Sequence, residues 1–117
     1  MAEWLNDLFS AIDSKDAERF ATFLTDDVTF RFGSAPAVSR KADVQRTVSE
    51  FFSAIHSLSH RITQVWREPG VVICEGEVTY VRTDGGRVPL PFVNVLRTRG
   101  TLVADYRIYI DASALWA

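Results

Sequence analysis

The chain has little of what marks a secreted, membrane-bound or nucleic-acid-binding protein. Its single cysteine, Cys74, excludes an internal disulfide and a cysteine-based metal site. The 13 basic and 15 acidic residues are interleaved and give a formal net charge of −2, so no basic surface for nucleic acid or an anionic membrane is expected. No apolar run approaches membrane-spanning length, and the first residues lack a basic stretch followed by an apolar core. We therefore expect a cytoplasmic protein with no nucleic-acid or membrane partner.

Apolar residues, in contrast, are abundant. They form 47% of the chain and include 8 Phe and 3 Trp, which suits both a self-sufficient core and a lined cavity. A chain of 117 residues buries roughly two thirds of its unfolded surface, so we expect a single domain over 1–117. No internal repeat, low-complexity tract or linker divides it.

Hydrophobic spacing in the first half of the chain is mainly helical. Apolar residues recur three and four apart over 4–12, which predicts a first helix. A second, short helix is predicted from Ala17, with Asp16 as its N-cap. Alternation over 28–32 predicts a strand and is followed by a predicted loop, and a third helix with a clear apolar stripe is predicted to begin near Lys41.

After residue 60 the hydrophobic spacing changes to two-residue alternation. It predicts four strands, over 60–67, 71–82, 87–98 and 102–110, which are joined by short turns that contain glycine. Turns this short join antiparallel neighbours, so the four strands form a meander. The predicted fold class is α+β, with helices on one face of a bent sheet.

The same alternation sorts the strand residues between the two faces of the sheet. We assign the more apolar phase to the face that the helices cover. It contains Phe30, Phe32, His60, Ile62, Gln64, Trp66, Val72, Cys74, Val78, Tyr80, Leu90, Phe92, Asn94, Leu96, Tyr106, Ile108 and Ile110. The opposite phase carries most of the charge together with Val65, Val93, Val95 and Tyr109. It is more apolar than bare solvent requires, so we expect a homodimer through this open sheet face.

Four short motifs accompany these elements: ATFLTDDVTF at 21–30, DGGR at 84–87, LPFVNV at 90–95 and YRIYID at 106–111. Their order and spacing resemble the nuclear transport factor 2-like superfamily, and more narrowly its SnoaL-like bacterial branch, over essentially the whole chain. The resemblance implies a cystatin-like cone, in which a curved mixed or antiparallel sheet wraps around three N-terminal helices. It also implies a dimer, and a mouth that admits a small, often apolar molecule. It implies no single activity, because the same cone carries isomerases, epoxide hydrolases, cyclases and dehydratases.

The catalytic residues of known enzymes with this fold are replaced in the chain. By the resemblance, Phe32 stands where ketosteroid isomerases carry their carboxylate base, and Leu8 stands at their tyrosine. Ile108 stands at the aspartate that limonene epoxide hydrolase and the SnoaL-like cyclases carry on the last strand. Phe92 and Asn94 stand at the arginine and aspartate that the epoxide hydrolase pairs. Neither acid constellation is therefore expected here.

The polar side chains on the helix-covered face are the remaining candidates for chemistry. His60 is the one imidazole there, and a histidine general acid or base contributes roughly a hundred- to ten-thousandfold in rate. Its alternative role is to cap backbone groups where its strand begins. Tyr106 needs a partner for a buried hydroxyl, and His60 is one candidate. His60 and Tyr106 are the predicted catalytic residues.

The predicted ligand contacts come from the same face. They are Asn94, Phe32, Trp66, Phe92, Gln64, Tyr80 and Ile108. An asparagine amide can hold a carbonyl or hydroxyl of a ligand, but it also satisfies neighbouring backbone groups, and aromatic residues at strand spacing also form ordinary core. With one cysteine and two histidines, the chain offers too few ligands for a metal site, so we expect no metal and no cofactor.

Three functions remain open from the sequence. The first is a binding module for a small apolar molecule that carries a carbonyl or a hydroxyl. The second is an isomerase, cyclase or dehydratase in which His60 moves a proton while Asn94 and Tyr106 stabilise an oxyanion. The third is an accessory subunit that works through its open sheet face.

Overall fold

The computed structural model describes residues 3–116, with the backbone alone at Glu3. The elements in chain order are α1 (Glu3–Asp13), α2 (Ala17–Ala21), β1 (Leu24–Phe32), β2 (Val38–Ser39), α3 (Lys41–Ser53), β3 (Ser57–Glu68), β4 (Val71–Val81), β5 (Arg87–Arg99), β6 (Leu102–Tyr109) and a final 3-10 helix (Ser113–Trp116). The predicted domain over 1–117 also includes Met1, Ala2 and Ala117, which lie outside the described residues. Between residues 3 and 116 no helix is long and apolar enough to cross a bilayer.

The six strands form one curved sheet in the order β2-β1-β6-β5-β4-β3. Strands β3 to β6 pair antiparallel with their neighbours in sequence, as their short turns predict. Strand β1 pairs parallel with β6, which makes the sheet mixed. The predicted α+β fold class, with helices on one face of a curved sheet, is confirmed.

The core lies between the helices and the concave face of the sheet. The apolar stripe of α1 is buried there, including Leu8 at 0% exposure, and α3 contributes a second stripe that includes Val44 and Val48. The predicted N-cap of α2 is confirmed, since an Asp16 carboxylate oxygen accepts the Arg19 backbone N–H at 3.0 Å. Burial of both helical stripes against the sheet holds the helices over its concave face.

Strand β1 is longer than predicted. It begins at Leu24, which pairs with Val103 of β6, rather than at residue 28; Leu24 and Thr25 are buried, while the two aspartates that follow them are exposed. Two exposed residues in succession break the alternation on which the prediction depended, and the pairing with β6 shifts register over this stretch. The short strand β2 also lies within the predicted loop, where Ser39 pairs with Thr29.

A β-bulge in β3 changes which side chains face the helices. Ile62 pairs with Gly76, but Gln64 pairs with Glu75, so Thr63 is an extra residue in this strand. The bulge reverses the alternation beyond it. Strand β3 therefore carries one face assignment before the bulge and the opposite one after it.

The prediction that Gln64 and Trp66 face the helices is wrong for this reason. Both are exposed, Trp66 at 46%, and Val65 occupies the inward position opposite Cys74. Gly76 permits the bulge, because a Cβ there would lie 2.0 Å from the backbone oxygen of Arg61. A glycine inside a strand is the sequence signal for such a close backbone approach.

Candidate functional site

A cavity of about 180 Å³ lies between the helices and the concave face of the sheet, and we call it the chamber. Its walls are mainly aromatic and aliphatic. The six phenylalanines that line it are Phe20, Phe30, Phe32, Phe51, Phe52 and Phe92. An apolar cavity of about 150 Å³ is large enough to hold benzene. The chamber therefore has room for a molecule of about one ring.

Five polar side chains interrupt these apolar walls: Thr47, His60, Tyr80, Asn94 and Tyr106. None of the described residues that line the chamber is an aspartate or a glutamate. The chamber therefore offers an imidazole, an amide and three hydroxyls to a bound molecule, and no carboxylate in direct contact.

A carboxylate nevertheless reaches His60 from behind the wall. Asp13 Oδ1 lies 2.6 Å from His60 Nδ1, and Asp13 Oδ2 accepts the His60 backbone N–H at 3.0 Å. The His60 side chain is 9% exposed and that of Asp13 is 29% exposed. With Nδ1 held by Asp13, Nε2 is the ring nitrogen left for a molecule in the chamber.

The turn between α1 and α2 holds this pair in place. Asp13 ends α1, and two residues later the Lys15 ammonium donates to the backbone oxygens of Ile55 at 2.9 Å and His56 at 3.1 Å. Those carbonyls belong to the connection between α3 and β3, just before His60. This one turn therefore fixes both the imidazole and the segment that leads to it. The His60 ring is also packed between two phenylalanines, with centroid separations of 4.8 Å to Phe9 and 5.3 Å to Phe92.

Asn94 is the buried amide of the site. It lies on β5 between Cys74 of β4 and Ile108 of β6, and it is 2% exposed. Its Oδ1 is buried without a hydrogen-bond partner among the described residues. Such an unpaired group costs about 1–3 kcal/mol, so its presence in the chamber wall is an unusual feature of this core.

Two tyrosines bring hydroxyls to the same chamber. Burial raises the pKa of Tyr106 far above its ordinary value, and burial also raises the pKa of Tyr80. Both phenols therefore stay protonated near neutral pH and act as hydrogen-bond donors. Among the described residues no hydrogen bond joins Tyr106 to His60, the candidate partner from the sequence; the His60 ring instead contacts Asp13 through Nδ1. The Tyr106 ring instead packs against Phe20 and Phe30, each with a centroid separation of 5.5 Å.

Most of the predicted site residues meet in the chamber. Those that line it are His60, Tyr106, Asn94, Phe32, Phe92, Tyr80 and Ile108. Gln64 and Trp66 lie on the other side of the sheet because of the bulge in β3. Asp13 was missed, since an aspartate at a helix end gives no sign in the sequence of a partner 47 residues away. Within residues 3–116, no three His, Cys, Asp or Glu side chains are grouped as a metal site requires.

Comparison with known proteins gives the family and the fold. The family model described as the SnoaL-like domain matches residues 5–106. No curated protein matches the chain in sequence.

Several solved structures share the fold at low sequence identity. A hypothetical protein of ketosteroid isomerase-like fold from Catenulispora acidiphila, solved with trimethylamine, is 16% identical, with a TM-score of 0.86 over 93% of this chain and 85% of that one. An uncharacterised cystatin-fold protein from Novosphingobium aromaticivorans is 18% identical, with a TM-score of 0.78 over 91% and 94%. An LEH-like epoxide hydrolase from M. tuberculosis is 12% identical, with a TM-score of 0.81 over 96% of this chain and 83% of that one. Identities this low show a common fold and no common reaction.

Proposed function

The chain belongs to the SnoaL-like domain family, and from this premise we propose that it binds a small, mainly apolar molecule of about one ring in the chamber. The observation that carries the proposal is the combination of aromatic walls with a few convergent polar groups, His60, Asn94 and Tyr106. Binding sites for small molecules are typically lined in this way.

The polar groups favour a ligand that carries a hydroxyl or a carbonyl. The unpaired oxygen of Asn94 would be satisfied by a hydroxyl donor, while its amide N–H groups and the protonated tyrosines would donate to a carbonyl. None of the described residues that line the chamber is a lysine or an arginine, so its lining offers no permanent cation to a carboxylate ligand.

Calorimetric titration with phenol and with toluene tests the proposal. We expect both to bind, and phenol more tightly by about three- to tenfold, because one added hydrogen bond is worth about 0.5–1.5 kcal/mol. Asn94→Leu should remove this preference and leave toluene binding intact. Val48→Phe should abolish binding of both, because it places a ring in the chamber. If neither molecule binds at millimolar concentration, or if Val48→Phe binds them unchanged, the proposal is wrong.

A second candidate function, proton transfer, is favoured by the contact between Asp13 and His60. A neutral His60 that donates Nδ1–H to the Asp13 carboxylate has its Nε2 lone pair available to take a proton from a substrate. The carboxylate would also stabilise the imidazolium that forms. Hydrogen bonds from Asn94 and Tyr106 would then stabilise an enolate oxygen as it develops. This is chemistry that isomerases and dehydratases share.

Hydrogen exchange in a bound ketone tests this second candidate. Incubation of cyclohexanone in deuterated buffer with the protein should exchange its α-hydrogens faster than buffer alone. We expect His60→Ala to abolish the acceleration and Asp13→Asn to reduce it, while His56→Ala, which alters the other histidine, leaves it unchanged. Equal exchange with the protein and with His60→Ala would remove the proton-transfer role.

We further propose that the convex sheet face forms a homodimer. Tyr109 is 57% exposed and Trp66 is 46% exposed on this face, which also carries both signs of charge in the contacts of Arg61 with Glu77 and of Arg107 with Asp105. A surface with both signs of charge can be complementary to itself about a twofold axis. Light scattering at micromolar concentration should give twice the mass of the chain, and Tyr109→Glu should give a monomer. A monomer of the unaltered chain would contradict the proposal.

A further inference from the structure

We propose that the ligand site has a second, outer part at the mouth of the chamber, which holds the polar end of an elongated molecule whose ring lies inside. The chemical class is a small aryl compound with a short chain that ends in an ammonium or a hydroxyl group. The inference rests on the proposed binding of a ring in the chamber.

The outer part is a separate pocket of about 300 Å³ that adjoins the chamber. Phe32, Ala35 and Ile110 line both spaces, so the two meet at these three side chains. The remaining wall comes from the turn after β1 and from the segment between β6 and Trp116. We place at this shared boundary the passage by which a ring in the chamber extends a substituent into the outer pocket.

The fold holds the two sides of this pocket in contact. Gly33, at φ +57°, donates its N–H to the Ile108 backbone oxygen at 2.9 Å, and a Cβ at Gly33 would lie 3.1 Å from the Ile110 backbone oxygen. On the other side of the turn, Arg31 Nε donates to the Ala35 backbone oxygen at 3.0 Å. The pocket is thus formed by backbone that is pinned on both sides rather than by a free loop.

The chemistry of the outer pocket differs from that of the chamber. Its polar side chains are Ser34, Asp111 and Ser113, and the described residues of its lining include no lysine or arginine. Asp111 Oδ1 accepts the Ser113 backbone N–H at 3.1 Å, and these contacts with Ser113 lower the pKa of Asp111, so it is a carboxylate at neutral pH.

Trp116 adds an aromatic surface on the same wall. Trp116 is 58% exposed, and its ring is nearly perpendicular to that of Phe51, with a centroid separation of 6.1 Å and an interplanar angle of 88°. Phe51 itself lines the chamber, so this contact joins the outer wall to the inner one. An indole face beside a carboxylate attracts an ammonium group, and the negative charge repels a carboxylate ligand.

Four probes with one phenyl ring test the proposal by calorimetry at low salt: toluene, 4-phenylbutanol, 4-phenylbutylamine and 4-phenylbutyrate. Toluene reports on the chamber alone. We expect the amine to bind at least about fivefold more tightly than the carboxylate, since the amine gains an ion pair with Asp111 and a cation–π contact with Trp116, whereas Asp111 repels the carboxylate. We expect the alcohol to lie between them.

Two variants separate the outer pocket from the chamber. Asp111→Asn keeps an oxygen for the Ser113 N–H and should remove the preference for the amine over the carboxylate. Trp116→Ala should weaken binding of the amine and leave toluene unchanged, and the matched control Trp66→Ala, on the opposite side of the sheet, should alter neither probe.

The probes distinguish an absent outer site from an absent site in the chamber. If toluene binds but the amine and the carboxylate bind equally, or if Trp116→Ala alters no probe, the outer site is wrong and the chamber stands. If no probe binds, both proposals are wrong.

Discussion

Two valines on one helix provide a test of whether the chamber is an unfilled cavity in the folded protein. Val44 and Val48 lie one turn apart on α3 and are both buried, but only Val48 lines the chamber. We consider the same substitution, valine to leucine, at each position. The change in helix propensity is then the same at both positions, and the comparison isolates the space around each side chain.

The expected magnitudes follow from the surroundings. Val44 is 0% exposed within the core, so an added methylene there must displace its neighbours, at a cost of about 1–3 kcal/mol. Leucine at position 48 can extend its added methylene into the chamber, with a change between zero and a gain of about 0.8 kcal/mol. The two variants should therefore differ by about 2 kcal/mol in their free energy of unfolding.

Urea unfolding at 25 °C, followed by circular dichroism, measures this difference. The reasoning requires equal m-values, so that the shift in midpoint reports stability alone. If Val48→Leu is destabilised as much as Val44→Leu, the chamber cannot accept one methylene, and binding of a ring within it is refuted.

Three further predictions concern the bulge in β3, the contact between Asp13 and His60, and the buried Cys74 thiol. Gly76→Ala should lower the free energy of unfolding by at least about 2 kcal/mol, because its Cβ would collide with the backbone at Arg61; an unchanged urea midpoint would show that the bulge does not need glycine. In ¹⁵N NMR spectra, neutral His60 should carry its proton on Nδ1, and Asp13→Ala should shift it towards Nε2; an unaltered tautomer would mean that Asp13 does not set it. Burial raises the pKa of Cys74 to about 11, so iodoacetamide at pH 8 should modify it only after unfolding, and rapid labelling of the folded protein, read by mass spectrometry, would contradict its burial.

Much of the fold could be predicted because a helix or strand that buries one face has a periodic pattern of apolar residues in its sequence. The helical stripe of α3 and the alternation in β4 to β6 predict those elements to within a few residues, since each buries one face continuously. The predicted strand β1 is too short, because the exposed Asp26 and Asp27 interrupt the alternation. Periodicity therefore indicates elements reliably only where each residue obeys the same burial pattern.

The bulge in β3 shows how one residue can reverse a face assignment. His60 precedes the bulge and was assigned correctly to the helix-covered face, whereas Gln64 and Trp66 follow it and were not. The cause lies in another strand, at Gly76, whose missing Cβ allows the close approach. Such a glycine in a strand interior indicates that a bulge exists but does not show where the partner strand changes phase.

The Asp13 contact could not be predicted for a different reason. Residues 13 and 60 meet at the turn after α1, where Lys15 also bonds the connection that leads into β3. Nothing in the local sequence of either residue indicates this tertiary contact. The sequence therefore predicts which side chains face the chamber more readily than which groups lie behind its wall.

Intermolecular nuclear Overhauser effects from phenol to the labelled protein test the central claim most directly. The proposed function predicts contacts from the phenol ring to the side chains of Val48, Val78 and His60, which meet only inside the chamber. Contacts confined to Tyr109 and Trp66, on the convex face of the sheet, would contradict it.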